Sequence, residues 1–167
     1  FTDEQVIYNN NDSSNYIRTL YAQWRETGID VTFNSNYNDT NITDKEEVKT
    51  YIVGNKNQKF DGTLFTKIGY TQIGWSKVKT STTAEYSLNN DVSDDWITKN
   101  KPNIKLYAIW KPNTYTITYN GNGATSGSTA SSSHTYDQTK NLTANGFSRT
   151  GYTFKGWTTS ANGSVVY

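Results

Sequence analysis

Apolar and polar residues alternate in several short stretches. Residues 30–36, "DVTFNSN", put Val31 and Phe33 on one side and end in Asn/Ser turn chemistry. Residues 115–123, "YTITYNGNG", repeat the pattern with Ile117 and Tyr119 and end in Asn-Gly. Each pattern predicts a half-buried strand. "GYTQIGW" at 69–75 and "GYTFKGW" at 151–157 also alternate, but their large side chains cannot all share one face at a period of two. The Gly before each Trp predicts a bulge or a close backbone approach that re-aims the ring. Residues 104–110, "IKLYAIW", and 17–24, "IRTLYAQW", are β-formers throughout and predict two more strands. Helix signals are short. Ser93 is placed to cap a helix with Asp94 and Asp95 in its first turn. Thr2 stands three residues before Gln5, a capping-box spacing. Residues 43–51, "TDKEEVKTY", predict a third short helix with an acidic start, and 126–135, "SGSTASSSHT", an exposed loop.

The stretches repeat. "LYAQW" at 20–24 returns as "LYAIW" at 106–110, 86 residues on. "VTFNSN" at 31–36 returns as "ITYNGN" at 117–122, again after 86, and the "GYxxxGW" stretch returns after 82. Three matches in one order at a spacing of 82–86 residues identify an internal repeat. One unit runs from a "VTFN" strand through "GYxxxGW" to "LYAxW". The chain divides accordingly into the tail of one unit (1–24), a complete unit (29–110) and the head of another (115–167). Only "RETG" (25–28) and "KPNT" (111–114) connect them, so consecutive units are expected to be joined tightly.

The set "ITYNGNG … GYTFKGW … LYAIW" resembles the Listeria–Bacteroides repeat, also called the internalin B-repeat family. The resemblance covers essentially the whole chain. It implies an α+β, mainly β fold of small β-grasp-like (ubiquitin-like) units in tandem. It also implies exported multi-repeat proteins of Gram-positive and some other bacteria, with adhesive or spacer roles. Two departures stand out. Gln72 and Ile73 invert the usual apolar–polar order, and "TFNSN" replaces an Asn-Gly-Gly turn.

Composition narrows the function. Hydrophobic residues make up 33% of the 167, including 14% aromatics, so core volume must come from a few large rings. Net charge is +1 with no basic block, which argues against a nucleic-acid partner. No apolar run approaches a membrane span. The start "FTDEQ" has no signal-peptide character and the chain has no Met, so it reads as a piece of a longer protein. The absence of Cys excludes disulfides and thiolate chemistry. Together with the resemblance this points to an extracellular bacterial surface, cell-wall-associated or secreted.

Candidate chemistry is sparse. His134 lies in "SSSHTY"; a general base beside Ser131–Ser133 is the sharp reading, a solvated loop residue the plain one. Residues 89–95, "NNDVSDD", offer oxygen ligands for Ca²⁺ but lack the Gly and distant Glu of an EF-hand loop. Turn and cap chemistry explains the same letters. No catalytic residue, cofactor or metal is therefore expected. Trp24, Trp75, Trp110 and Trp157 recur in repeat phase and read as core or inter-strand packing. Trp96 has no counterpart in "EQVIYNN" at 4–10, so it is either an exposed ligand platform or the apolar face of the short helix. Tyr37, Tyr51 and Tyr86 are further candidates for ligand binding. A Lys–Asn isopeptide cross-link is permitted by composition alone.

The expected function is a non-enzymatic spacer or adhesion-associated module whose partner is a host-surface protein or a glycan. The alternative is a carbohydrate-binding module built on exposed aromatics. The head (115–167) lacks its closing strand and the tail (1–24) is that strand. Strand complementation within or between chains is therefore expected.

Overall fold

The computed structural model describes residues 21–62, 64–165 and 167. Four strands build the first unit: β1 (Gly28–Asn34), β2 (Glu46–Ile52), β3 (Tyr70–Ser76) and β4 (Asn103–Pro112), with helix α1 (Asp94–Lys99) before β4. They form one mixed sheet in the order β2-β1-β4-β3. The central β1–β4 pair is parallel, while β2 and β3 flank it antiparallel. The described residues are thus mainly β with little helix.

The alternation in residues 30–36 sets this arrangement. Ile29, Val31 and Phe33 all point to one face of β1 and are at most 2% exposed. Leu106 and Ala108 of β4 meet them, and Ile97 of α1 closes the other side. Trp75 lies fully buried among them, 4.6 Å from Phe33 and edge-on to it. Its Nε1 donates to the Asp61 carbonyl at 2.8 Å, so the one polar atom of the ring is satisfied. Burying each such side chain is worth about 1.5–3 kcal/mol. The exposed Lys99–Asp95 pair on α1 is worth about 0.3–0.5 kcal/mol at most. The ring-rich core therefore dominates stability.

The expected bulge is present. The β3–β4 register shifts between Gln72 and Gly74, which turns Ile73 outward and drives Trp75 into the core. Gly74 has φ +155°, and a Cβ there would collide with the Tyr86 carbonyl and the Ala84 side chain. The Ser93 cap is also present, accepting from the Trp96 amide at 3.1 Å.

Residues 43–51 are not helical; most of them lie in β2. The β-branched Val48, Thr50 and Ile52 suit a strand, and pairing with β1 over seven positions satisfies an edge that a helix would leave open. The acids that read as a helix start make tertiary contacts instead. Asp44 accepts from the Tyr37 amide at 2.7 Å and pairs with Lys79. Glu46 accepts from Asn34 and from Lys105 across the sheet. Lys49, on the core-facing side of β2, pairs with Asp61.

The following unit begins with β5 (Thr114–Ile117), which pairs antiparallel with β7 (Ser132–Thr135); β6 (Ser126–Gly127) pairs with β8 (Phe147–Ser148). Residues 126–135 are thus partly strand rather than an exposed loop, and β5 ends before the expected "YNGNG". There an Asx turn takes over, with the Asn122 amide on Asn120 Oδ1. Residues 151–157 are not a strand. Among the described residues no strand lies beside them in the place that β4 takes beside β3. Yet Trp157 exchanges backbone hydrogen bonds with Tyr167 as Trp75 does with Tyr86.

The tail departs from expectation. Tyr21–Trp24 form no strand, and Trp24 is 93% exposed. Trp110 packs because its Nε1 donates to the Ser35 carbonyl and its ring stacks on Tyr37. The described residues offer Trp24 no such partners. Residues 1–20, with the Thr2–Gln5 cap and most of the complementing strand, lie outside the described residues.

Candidate functional site: the aromatic cluster and the inter-unit joint

Three of the four candidate ligand residues share one cluster. Phe60 sits at its centre, with ring centroids 4.9 Å from Tyr86, 5.0 Å from Trp96 and 6.3 Å from Tyr51. Helix α1 supplies Trp96, β2 supplies Tyr51, and the Trp75–Tyr86 bridge positions Tyr86. Trp96 meets Tyr51, Phe60 and Tyr86 edge-on, the arrangement ring quadrupoles favour, while Phe60 lies tilted against Tyr51 and Tyr86, so the rings cover one another. Tyr51 is buried, and its hydroxyl donates to the Lys59 carbonyl at 3.0 Å. Burial pushes its pKa up to about 12. Trp96 and Tyr86 are half-buried. Tyr37 is buried on the far side against Trp110.

His134 is not solvated. It is 4% exposed, its ring lies over Tyr115 at 5.6 Å, and Nε2 sits 2.8 Å from Ser132 Oγ. It takes the place of Tyr51: each is the cross-strand partner of an aromatic or aliphatic residue in repeat phase, Tyr115 or Ile29. "NNDVSDD" folds as turn and cap. Asn89 adopts φ +62°, and Asp94 accepts from the Gly54 amide at 2.8 Å. Among the described residues no His/Cys/Asp/Glu cluster could hold a metal, and no helix is long and apolar enough to cross a membrane.

The second site joins the two units. Only Asn113 separates β4 from β5. Its amide donates to the Gly69 carbonyl at 2.8 Å and its carbonyl accepts from the Tyr136 amide at 2.9 Å. Thr71 Oγ1 donates to its side-chain oxygen at 2.6 Å. The Tyr136 ring lies over Gly69, where a Cβ would overlap it, and meets Tyr70 edge-on at 5.6 Å. The Tyr70 hydroxyl donates to Asp137 at 2.9 Å, and Lys67 Nζ stands 4.1 Å above the Tyr70 ring. Partial burial and the Asp137 carboxylate raise the Tyr70 pKa above its ordinary value. Gly69 at φ +77° and Asp137 at φ +57° supply the two left-handed turns that bring the segments together. Sequence reading anticipated a tight join but singled out neither Tyr136 nor Asp137. Their signal is "TYD" at the end of the second strand, where the first unit has Ile52-Val53-Gly54.

Comparison with known proteins agrees with the repeat. The family model described as the Listeria-Bacteroides repeat domain matches residues 30–109 and 115–167. One relative, from Evansella cellulosilytica and described by name as a Gly-rich membrane protein, is 28% identical over 140 residues. The match covers 84% of this chain and only 15% of that protein's length. No solved structure matches the chain.

Proposed function

Since the chain belongs to the Listeria–Bacteroides repeat family, we propose that it is a non-enzymatic spacer of a bacterial cell-surface protein, a stiff segment that holds an adhesive region away from its anchor. The observation that carries this reading is the joint. One connecting residue with three hydrogen bonds, a ring over Gly69 and a Tyr–Asp bond leave little freedom between units. A flexible tether would instead carry a Gly/Ser-rich linker. The family and the relative's membrane-protein name support a surface location. The sheet order and parallel central pair support a β-grasp-like unit. Adhesion to a host protein or glycan belongs to the same proposal. The aromatic cluster supports a packing role over a sugar platform, because its rings cover one another.

The test is an inter-unit distance distribution. The chain has no Cys, so spin labels at Thr82→Cys and Ser128→Cys, both exposed positions, are unique. Electron–electron double resonance should give one narrow distribution, broadened by Tyr136→Ala. A broad distribution in the unsubstituted chain would overturn the spacer reading. A labelled chain on a glycan and host-matrix array, with Trp96→Ala beside it, tests the adhesive part.

A further inference from the structure

We propose that Gly151-Tyr152-Thr153 is an open copy of the joint, and that its occupant is the Thr27 end of a second copy of this chain set head to tail. The proposal rests on the spacer reading above.

Gly151, Tyr152 and Thr153 stand 82 residues after Gly69, Tyr70 and Thr71. Gly151 has φ +79° where Gly69 has +77°. The Arg149 guanidinium lies 4.1 Å above the Tyr152 ring, and Lys67 Nζ lies 4.1 Å above Tyr70. The difference is the cover. Tyr136 fills the space over Gly69, whereas none of the described residues lies within 4 Å of a Cβ at Gly151. Tyr152 is 68% exposed. A ring braced by a cation next to a left-handed glycine is the docking half of the joint without its mate.

The mating half is also present, and Thr27 in it is exposed. Thr27 stands where Asn113 does. Its carbonyl accepts from the Val53 amide at 2.8 Å, as that of Asn113 accepts from Tyr136. Gly54 at φ +88° repeats the left-handed Asp137. Thr27 is exposed and borders an open cavity of about 730 Å³ with Arg25, Ile52, Pro102 and Asn103. In the docked state the Thr27 amide donates to the Gly151 carbonyl, and the Thr27 and Thr153 hydroxyls pair as Thr71 does with Asn113. Val53 covers Gly151 in place of Tyr136. Gly54 brings no carboxylate to Tyr152, so this joint is weaker than the one within the chain, and separate chains associate only weakly. The contact is heterologous, so repetition sets further copies head to tail.

An in-frame fusion of two full chains tests this, because linkage supplies a high effective concentration. Labels are placed at Ser128→Cys of the first copy and Thr82→Cys of the second. The expected distribution is as narrow as that of the same pair within one chain, and Tyr152→Ala in the first copy broadens it at least twofold. Tyr152→Ala in the single chain should leave the melting midpoint unchanged, which separates loss of docking from loss of fold. A broad distribution in the unsubstituted fusion, or one that Tyr152→Ala leaves narrow, overturns the proposal. A broad single-chain distribution overturns the spacer reading and this proposal with it.

Discussion

Replacing Trp75 tests whether large rings carry this unit. Trp75 is fully buried, with Phe33 at 4.6 Å and Phe65 at 6.1 Å, and Nε1 donates to Asp61. Trp75→Ala removes the whole ring and should cost about 3–5 kcal/mol. That is a large share of the stability of a domain held by about 5–15 kcal/mol. Trp75→Phe is the sharper probe. It keeps a ring against Phe33 but loses the indole's second ring and the bond to Asp61. A hydrogen bond contributes about 0.5–1.5 kcal/mol. The cavity adds a fraction of the Ala value, for about 2 kcal/mol in all. In a unit of 60–100 residues, 2 kcal/mol lowers the melting midpoint by roughly 8–16 °C. Thermal unfolding followed by circular dichroism reads it. A Trp75→Phe chain melting within about 2 °C of the parent would refute the claim that this ring and its bond anchor the core.

Other expectations follow from single residues. Asn36 sits at φ +46° and donates from Nδ2 to the Lys79 and Ala108 carbonyls, both at 3.0 Å. Asn36→Ala should cost about 2–3 kcal/mol through lost bonds and left-handed strain, and Asn36→Gly visibly less, measured by urea unfolding. Tyr51 is held protonated by burial up to about 12. Its stabilising effect is full below the ordinary Tyr value of 10.0 and is lost as pH rises from there through 12. Tyr51→Phe should flatten the alkaline fall in stability over that window. Glu46 is depressed by hydrogen bonds from Lys105 and then Asn34, so its contribution is present above pH 4.5 and lost as pH falls through its lower folded value. Glu46→Gln should remove that acid-side dependence.

Much of the first unit was legible from the residues. Val31 and Phe33 alternate because one face of β1 is core, and the Gly before Trp75 is a bulge, as the crowded "GYTQIGW" demanded. The failures have definite causes. An acidic run preceding a possible helix looks the same whether its acids complement a dipole or make tertiary contacts; Asp44 holds Tyr37 and Lys79, and Glu46 reaches Lys105 across the sheet. The Ser/Thr-rich neighbours of His134 suggest a solvated loop, yet pairing of β7 with β5 buries it. Trp24 and the stretch at 151–157 share their letters with Trp110 and β3. Only cross-strand and cross-unit partners make those letters a packed ring or a strand. The joint was half legible: short connectors announced it, but Tyr136 meets Gly69 only after two left-handed turns.

The most direct test of the central claim is the relative order of the two units in solution. Residual dipolar couplings from β1–β4 and from β5 and β7 should fit one alignment tensor, because Asn113, Tyr70, Tyr136 and Asp137 fix one unit on the other. Two tensors of clearly different magnitude, each fitting its own unit, would show units reorienting about Asn113 and would contradict a stiff spacer.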